Sequence, residues 1–132
     1  MASRRSDAAG LKFPREARLV RRGEFDAVYR AGKRRSSSYF TVFFRANQLP
    51  QNRFGFSIKK ALGGAVVRNR IRRRTREVVR CNRLEIAAGW DIVIHPKSVV
   101  ARAEFAALSA DLVRLLRSGV TATATVPSAE RA

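Results

Sequence analysis

Between Arg68 and Arg83 the chain reads R-N-R-I-R-R-R-T-R-E-V-V-R-C-N-R, eight arginines with Glu77 as the one acid among them. Guanidinium groups fork onto phosphate oxygens and stack on bases, so a dense arginine run points to recognition of a phosphate backbone. Val67, Ile71, Val78 and Cys81 recur at helical spacing, which predicts a helix with one side buried against a core. On a helical wheel those four fall within an arc of roughly 80°. The opposite arc holds Arg68, Asn69, Arg72, Arg73, Arg76, Arg80 and Arg83, with Val79 among them. Arg70 falls at the apolar edge, and Arg74 falls between two core valines. Ordinary solvated helix faces mix signs to form i,i+4 pairs. Here only Glu77 is at hand, so the repulsion goes largely uncompensated until a polyanion binds.

Groups that make or break bonds are scarce. The single histidine, His95, sits between an apolar segment and Pro96 and reads as a strand-end surface residue without a functional role. The ten acids are dispersed, with no D-x-D or E-x-x-H pattern for a pair of metal ions and no G-x-x-x-x-G-K-[ST] loop for a nucleotide. The polypeptide is not expected to cleave anything alone.

Charge dominates the composition: 28 basic against 10 acidic residues give a net +18, and 23 of the basic residues are arginine. Such self-repulsion predicts modest stability in isolation and a gain on binding a polyanion. A hydrophobic share of 45% still allows a true core. Cys81 is the only cysteine, which excludes an internal disulfide and fits a reducing compartment. No apolar run approaches the roughly 20 residues that span a bilayer, and the N-terminus lacks a signal-peptide core. A cytoplasmic protein with no membrane partner is expected.

The elements that must carry the arginines follow from periodicity. Residues 1–12 are small, polar and basic and read as a flexible segment. A short helix from Gly23 carries Phe25, Val28 and Tyr29 on one side and stops at Gly32. Lys33 to Ser38 reads as a basic loop. Residues 39–45 alternate as a strand, with Tyr39, Thr41, Phe43 and Arg45 on one face and Phe40, Val42 and Phe44 on the other. Arg53 to Ile58 reads as a second strand, with Phe54, Phe56 and Ile58 opposite Gly55 and Ser57, small residues that let something approach the backbone. The apolar run W-D-I-V-I suits a central strand. A last helix, about residues 102–117, aligns Phe105, Leu108, Leu112, Leu115 and Leu116, and Gly119 ends it ahead of a flexible tail at 119–132. The order helix, strand, strand, helix, strand, helix predicts one α/β (α+β) two-layer sandwich over residues 13–118, a small mixed sheet with helices mainly on one face. Phe25, Tyr29, Tyr39 and Phe43, with Arg22, Arg30, Arg45 and Lys60 around them, either stack unpaired bases or pack as core.

Gly55 to Glu77, G-F-S-I-K-K-A-L-G-G-A-V-V-R-N-R-I-R-R-R-T-R-E, resembles the signature of the bacterial ribonuclease P protein component. The R-N-R motif is Arg68-Asn69-Arg70, and the likeness runs from about Phe13 to Leu116, taking in G-E-F-D-A-V-Y and W-D-I-V-I. The resemblance implies a left-handed β-α-β crossover around the arginine helix and a role beside a large catalytic RNA that removes the 5′ leader from precursor tRNA. It further implies that Arg68, Asn69, Arg70, Arg72, Arg73 and Arg76 face ribonuclease P RNA. Phe25, Tyr29, Tyr39, Thr41, Phe43, Ser57 and Lys60 would line the cleft for the leader. Mg²⁺ would be held mainly by the RNA, the catalytic centre would lie there, and no protein partner would be required. Two departures fall beside that cleft: Lys59-Lys60-Ala61 stands where the family has serine-lysine-lysine, and Gly63-Gly64 where it has glycine-asparagine.

From composition alone, a structural RNA-binding protein of ribosomal type fits equally well. A DNA-binding protein fits less well, since no helix-turn-helix pair accompanies the basic helix. Only the R-N-R signature and its flanks separate the first two.

Overall fold

The computed structural model describes residues 14–129, with side chains as far as Val120. The N-terminal segment 1–12 and the last three residues lie outside the described residues. Three helices, α1 (Arg22–Ala31), α2 (Ala65–Asn82) and α3 (Phe105–Ala129), surround four strands. The strands are β1 (Lys33–Ser36), β2 (Phe40–Ala46), β3 (Arg53–Phe56) and β4 (Trp90–Pro96), in the spatial order β1-β2-β4-β3. β1 and β4 run antiparallel to β2, whereas β3 runs parallel to β4, so α2 is the crossover of a β-α-β unit.

The apolar run of β4 is explained by its place. It lies between β2 and β3, and Trp90 to Ile94 are all buried. The predicted alternation of β2 holds: Phe40, Val42 and Phe44 are fully buried, while Thr41 and Phe43 are half-buried on the other face. Against the first face pack Ile71, Val78 and Val79 of α2 with Leu108, Leu112, Leu115, Leu116 and Val120 of α3. Each such side chain contributes about 1.5–3 kcal/mol when fully buried. On the opposite face α1 closes a smaller cluster of Leu19, Val28 and Val93, flanked by Phe25, Tyr29 and Phe43. Two of the three helices thus share one face, and the third covers part of the other.

Four features differ from the sequence-based expectation. Lys33–Ser36 is an edge strand rather than a loop, with Arg34 opposite Phe43 and Ser36 opposite Thr41. Its charges suit an edge, because they discourage pairing with a further strand. Val79 does not sit among the arginines but is fully buried, and the buried stripe of α2 is Ile71, Thr75, Val78 and Val79. Thr75 tolerates that position because its hydroxyl donates to the Ile71 carbonyl at 2.8 Å. Val67, the assumed centre of the stripe, is 38% exposed in the first turn.

The fourth difference concerns Gly119, which does not end α3. The helix continues to Ala129, and Val120 joins the core at 4% exposure. A β-carbon at Gly119 would lie 2.2 Å from Cζ of Phe44, so the glycine allows the helix backbone to press against an aromatic ring. At Gly32 the expected stop does occur: φ is 78° and its amide donates to the Tyr29 carbonyl.

A buried polar cluster locks the rear of the sheet. Arg53 grips Asp91 with two bonds of 2.8 and 2.7 Å, Asn47 Nδ2 donates to the same carboxylate at 2.8 Å, and Arg53 also reaches Glu24 at 3.2 Å. Glu24 in turn accepts the amides of Val20 and Arg21, which fixes the start of α1 over the sheet. The Arg21 amide holds the Glu24 carboxyl below its ordinary value, aided by the Val20 amide and the Arg53 charge, although burial pulls it upward.

Candidate nucleic-acid interface

The arginine helix begins at Gly63-Gly64, where Gly63 has φ 144° and Gly64 takes the cap position. Along α2 the side chains of Asn69, Arg70, Arg73 and Arg76 are exposed, and those of Arg68 and Arg72 are half-buried. Three of these arginines have neutral partners. Arg68 Nε donates to the Gly63 carbonyl at 3.0 Å, Arg70 Nε to the Ala101 carbonyl at 2.7 Å and Arg72 to Asn69 Oδ1 at 2.8 Å. Arg74, which the wheel placed among core valines, is half-buried and donates to the Ala103 carbonyl. Glu77 is committed to Arg80 by bonds of 3.1 and 2.6 Å. Among the described residues no carboxylate pairs with Arg68, Arg70, Arg72 or Arg73. The helix therefore keeps most of its positive field.

Across the sheet, the predicted aromatic group assembles in part. Phe25 stands over Gly55, whose missing β-carbon would otherwise fall 2.5 Å from its Cζ. Tyr29 meets Phe43 edge-on with centroids 5.0 Å apart. Thr41, Phe43 and Ser57 line one concave site of about 390 Å³. Tyr39 instead packs against the main core, and Lys60 is exposed in the short turn Lys60–Leu62.

The sequence reading missed Arg34, Lys59, Lys97 and above all His95, which line the same site. His95 is no exposed strand-end residue. It is half-buried opposite Thr41, its Nε2 is 2.8 Å from the Tyr29 hydroxyl, and its ring lies 5.2 Å from that of Phe43. Burial, reinforced by the Lys59 charge, pushes its imidazole below the ordinary histidine value. Extending the β4 alternation by two residues past Val93 would have placed it on this face.

A hollow of about 160 Å³ joins the two surfaces, with Arg18, Leu19 and Phe25 on one side and Arg72 and Arg76 on the other. Among the described residues no group of three or more His, Cys, Asp or Glu side chains stands where it could hold a metal ion. Nor is any described helix long and apolar enough to cross a membrane.

Known proteins share this geometry. The sequence model of the family described as Ribonuclease P matches residues 13–119. The chain belongs to the ribonuclease P protein family. The ribonuclease P protein component of Thermotoga maritima is 35% identical over 109 residues, which cover 80% of this chain and 93% of that one. The Acidothermus cellulolyticus protein of the same name is 40% identical over 106 residues, 79% of this chain and 88% of its own. The solved T. maritima ribonuclease P protein superposes with a TM-score of 0.70 at 33% identity, covering 76% of this chain and 96% of that one. The Staphylococcus aureus ribonuclease P protein does so with 0.67 at 25% identity, covering 76% and 93%. Membership separates the two readings that composition left open. The chain is the protein subunit of ribonuclease P, partner to its RNA in tRNA 5′ processing, rather than a ribosomal-type structural protein.

Proposed function

We propose that this subunit holds the catalytic RNA with the exposed face of α2 and receives the 5′ leader of precursor tRNA in the aromatic cleft, while bond cleavage takes place in the RNA. Arg68, Asn69, Arg70, Arg72, Arg73 and Arg76 address the RNA subunit. Phe25, Tyr29, Thr41, Phe43 and Ser57, with Lys59 beside them, address the leader. Lys60 and Tyr39 act at its margin. The observations that support this reading are a basic cleft holding the Phe43 and His95 rings and a second hollow where Phe25 meets Arg72 and Arg76 of the arginine helix. Single strands are bound in this manner, by stacking on rings and neutralisation of phosphates. Mg²⁺ is held mainly by the RNA, the particle works in the cytoplasm, and no further protein is required.

Reconstitution tests it. The chain is combined with a bacterial ribonuclease P RNA at low Mg²⁺, and precursor tRNA is offered with leaders of one or several nucleotides. The protein is expected to stimulate cleavage more strongly on the longer leader. Each phosphate neutralised should steepen the salt dependence of binding by about 0.7–0.9 in log–log slope. Substitution of Arg68 or Arg70 should weaken assembly with the RNA, and substitution of Phe25 or Phe43 should weaken long-leader substrates. Absence of stimulation, or identical behaviour of both sets, would refute the division of labour.

A further inference from the structure

His95, paired with Tyr29, lines the cleft without a part in the scheme above. The Tyr29 hydroxyl, with Ser57 beside it, lies 2.8 Å from His95 Nε2, and a phenol is the stronger proton donor of that pair. Donation from the phenol favours one imidazole tautomer, with Nε2 accepting and the proton on Nδ1. Nδ1 has no hydrogen-bond partner among the described residues, although the ring is wedged edge-on against Tyr29 and Phe43. An oriented donor with nothing to donate to, inside a cleft, is a recognition element awaiting an acceptor.

The charges around it indicate which acceptor. Arg34 from β1, Lys59 from the segment after β3 and Lys97 from the end of β4 line the same site. The neutral hydroxyls of Thr41, Ser57 and Ser98 complete its polar lining. Asp26 on α1 is the acid that bears on Tyr29. A site with three cations and one directed N–H suits a phosphodiester oxygen. We propose that His95, oriented by Tyr29, is a specificity-determining residue of the cleft that donates its Nδ1–H to a phosphate of the single-stranded leader. This rests on the cleft being the leader site.

A titration consequence follows. In the free cleft, burial and Lys59 keep His95 neutral near pH 7. A phosphate beside the ring favours the imidazolium. Protonation puts a second donor on Nε2, and Tyr29 can reverse to donate to Ser57, so no hydrogen bond need be lost. Leader binding is then linked to proton uptake and strengthens as pH falls through the histidine range.

The experiment compares kcat/KM of the reconstituted holoenzyme on a five-nucleotide-leader and a one-nucleotide-leader substrate, from pH 7.5 down to 5.5. The ratio cancels the pH dependence common to both cleavages. For the unsubstituted protein it should rise toward low pH, about tenfold for each unit by which the phosphate raises the histidine pKa, and the change should lie in KM. His95→Gln keeps a donor but cannot be charged, and its ratio should be flat. His95→Phe removes the donor and should lower the ratio at pH 7.5 by about fivefold. A leader with neutral methylphosphonate linkages should lose the pH slope with the unsubstituted protein. Equal slopes for the unsubstituted protein and His95→Gln, or an unchanged ratio for His95→Phe, would overturn the inference while leaving the cleft reading intact. No leader preference at any pH would overturn both.

Discussion

Replacing Gly119 by alanine puts two quantities in opposition. In a helix interior alanine is favoured over glycine by about 1 kcal/mol, so local propensity predicts a more stable protein. The packing predicts the reverse. The added β-carbon would sit 2.2, 2.5 and 2.6 Å from three ring atoms of Phe44, where carbon atoms normally rest about 3.5–4.0 Å apart. The ring must therefore move by more than about 1 Å. It has little room to do so, because Phe44 is fully buried and held edge-on to Trp90 with centroids 6.4 Å apart. Overpacking of this kind costs about 1–3 kcal/mol, and three simultaneous contacts place it at the upper end. Gly119→Ala should thus lose about 2 kcal/mol net in urea unfolding, with an unchanged m-value. In a Phe44→Leu background the clash disappears and the same substitution should instead stabilise by about 1 kcal/mol. The coupling of about 3 kcal/mol from that double-mutant cycle is the decisive quantity. Equal stabilisation by alanine in both backgrounds would show that α3 does not press on Phe44.

Three further outcomes are expected. Gly55→Ala should displace the half-buried Phe25 ring, 2.5 Å from the new β-carbon, and weaken long-leader substrates about five- to tenfold in KM, with little effect on one-nucleotide leaders. Asp91→Ala leaves Arg53 with Glu24 alone and should cost about 2–4 kcal/mol in urea unfolding, a value below 0.5 kcal/mol counting against the cluster as a lock. Glu24 titrates below its ordinary 4.5 in the folded protein, so its contribution is complete above that pH and is lost as pH falls through the folded value. The stability gap between the unsubstituted protein and Glu24→Gln should accordingly close in acid melts, and a gap that widened there would contradict the assignment.

Periodicity made β2, β3 and α1 legible, because burial of a face is written at a period of two or near four residues, and β4 was legible from its continuous apolar run, since it is buried on both faces. What stayed hidden was decided by tertiary contacts. Charge density made Lys33–Ser36 look like a loop, yet an edge strand needs only backbone pairing on one side. A glycine within an apolar helical pattern can end the helix or admit a neighbour, and only the position of Phe44 decides for Gly119. The wheel of α2 was centred on Val67, so Val79 fell on the wrong side, because the buried arc is turned away from Val67 toward Thr75 and Val79. The R-N-R helix was plain from its residues, whereas His95 required knowing that β4 pairs with β2 so that Thr41 lies opposite. Arg34 and Lys97 enter the cleft for the same reason, through strand order rather than proximity in sequence.

The partners of the helix arginines bear on how a chain of net +18 can hold its shape and still attract RNA. Carboxylates would fix these side chains but cancel their field. Backbone carbonyls of Gly63, Ala101 and Ala103 fix Arg68, Arg70 and Arg74 while leaving each charge whole. A guanidinium carries five N–H donors, so one bond to a carbonyl leaves most of the fork for phosphate. Holding a long side chain in place beforehand also removes part of the rotamer entropy, roughly 1.5–2 kcal/mol for an arginine, that RNA binding would otherwise have to offset. The bonds of Arg70 and Arg74 also tie α2 to the segment between β4 and α3, so the placement of these arginines depends on the sheet that forms the cleft. Arg72 and Arg76 share a hollow with Phe25, and occupation of either surface bears on side chains of the other.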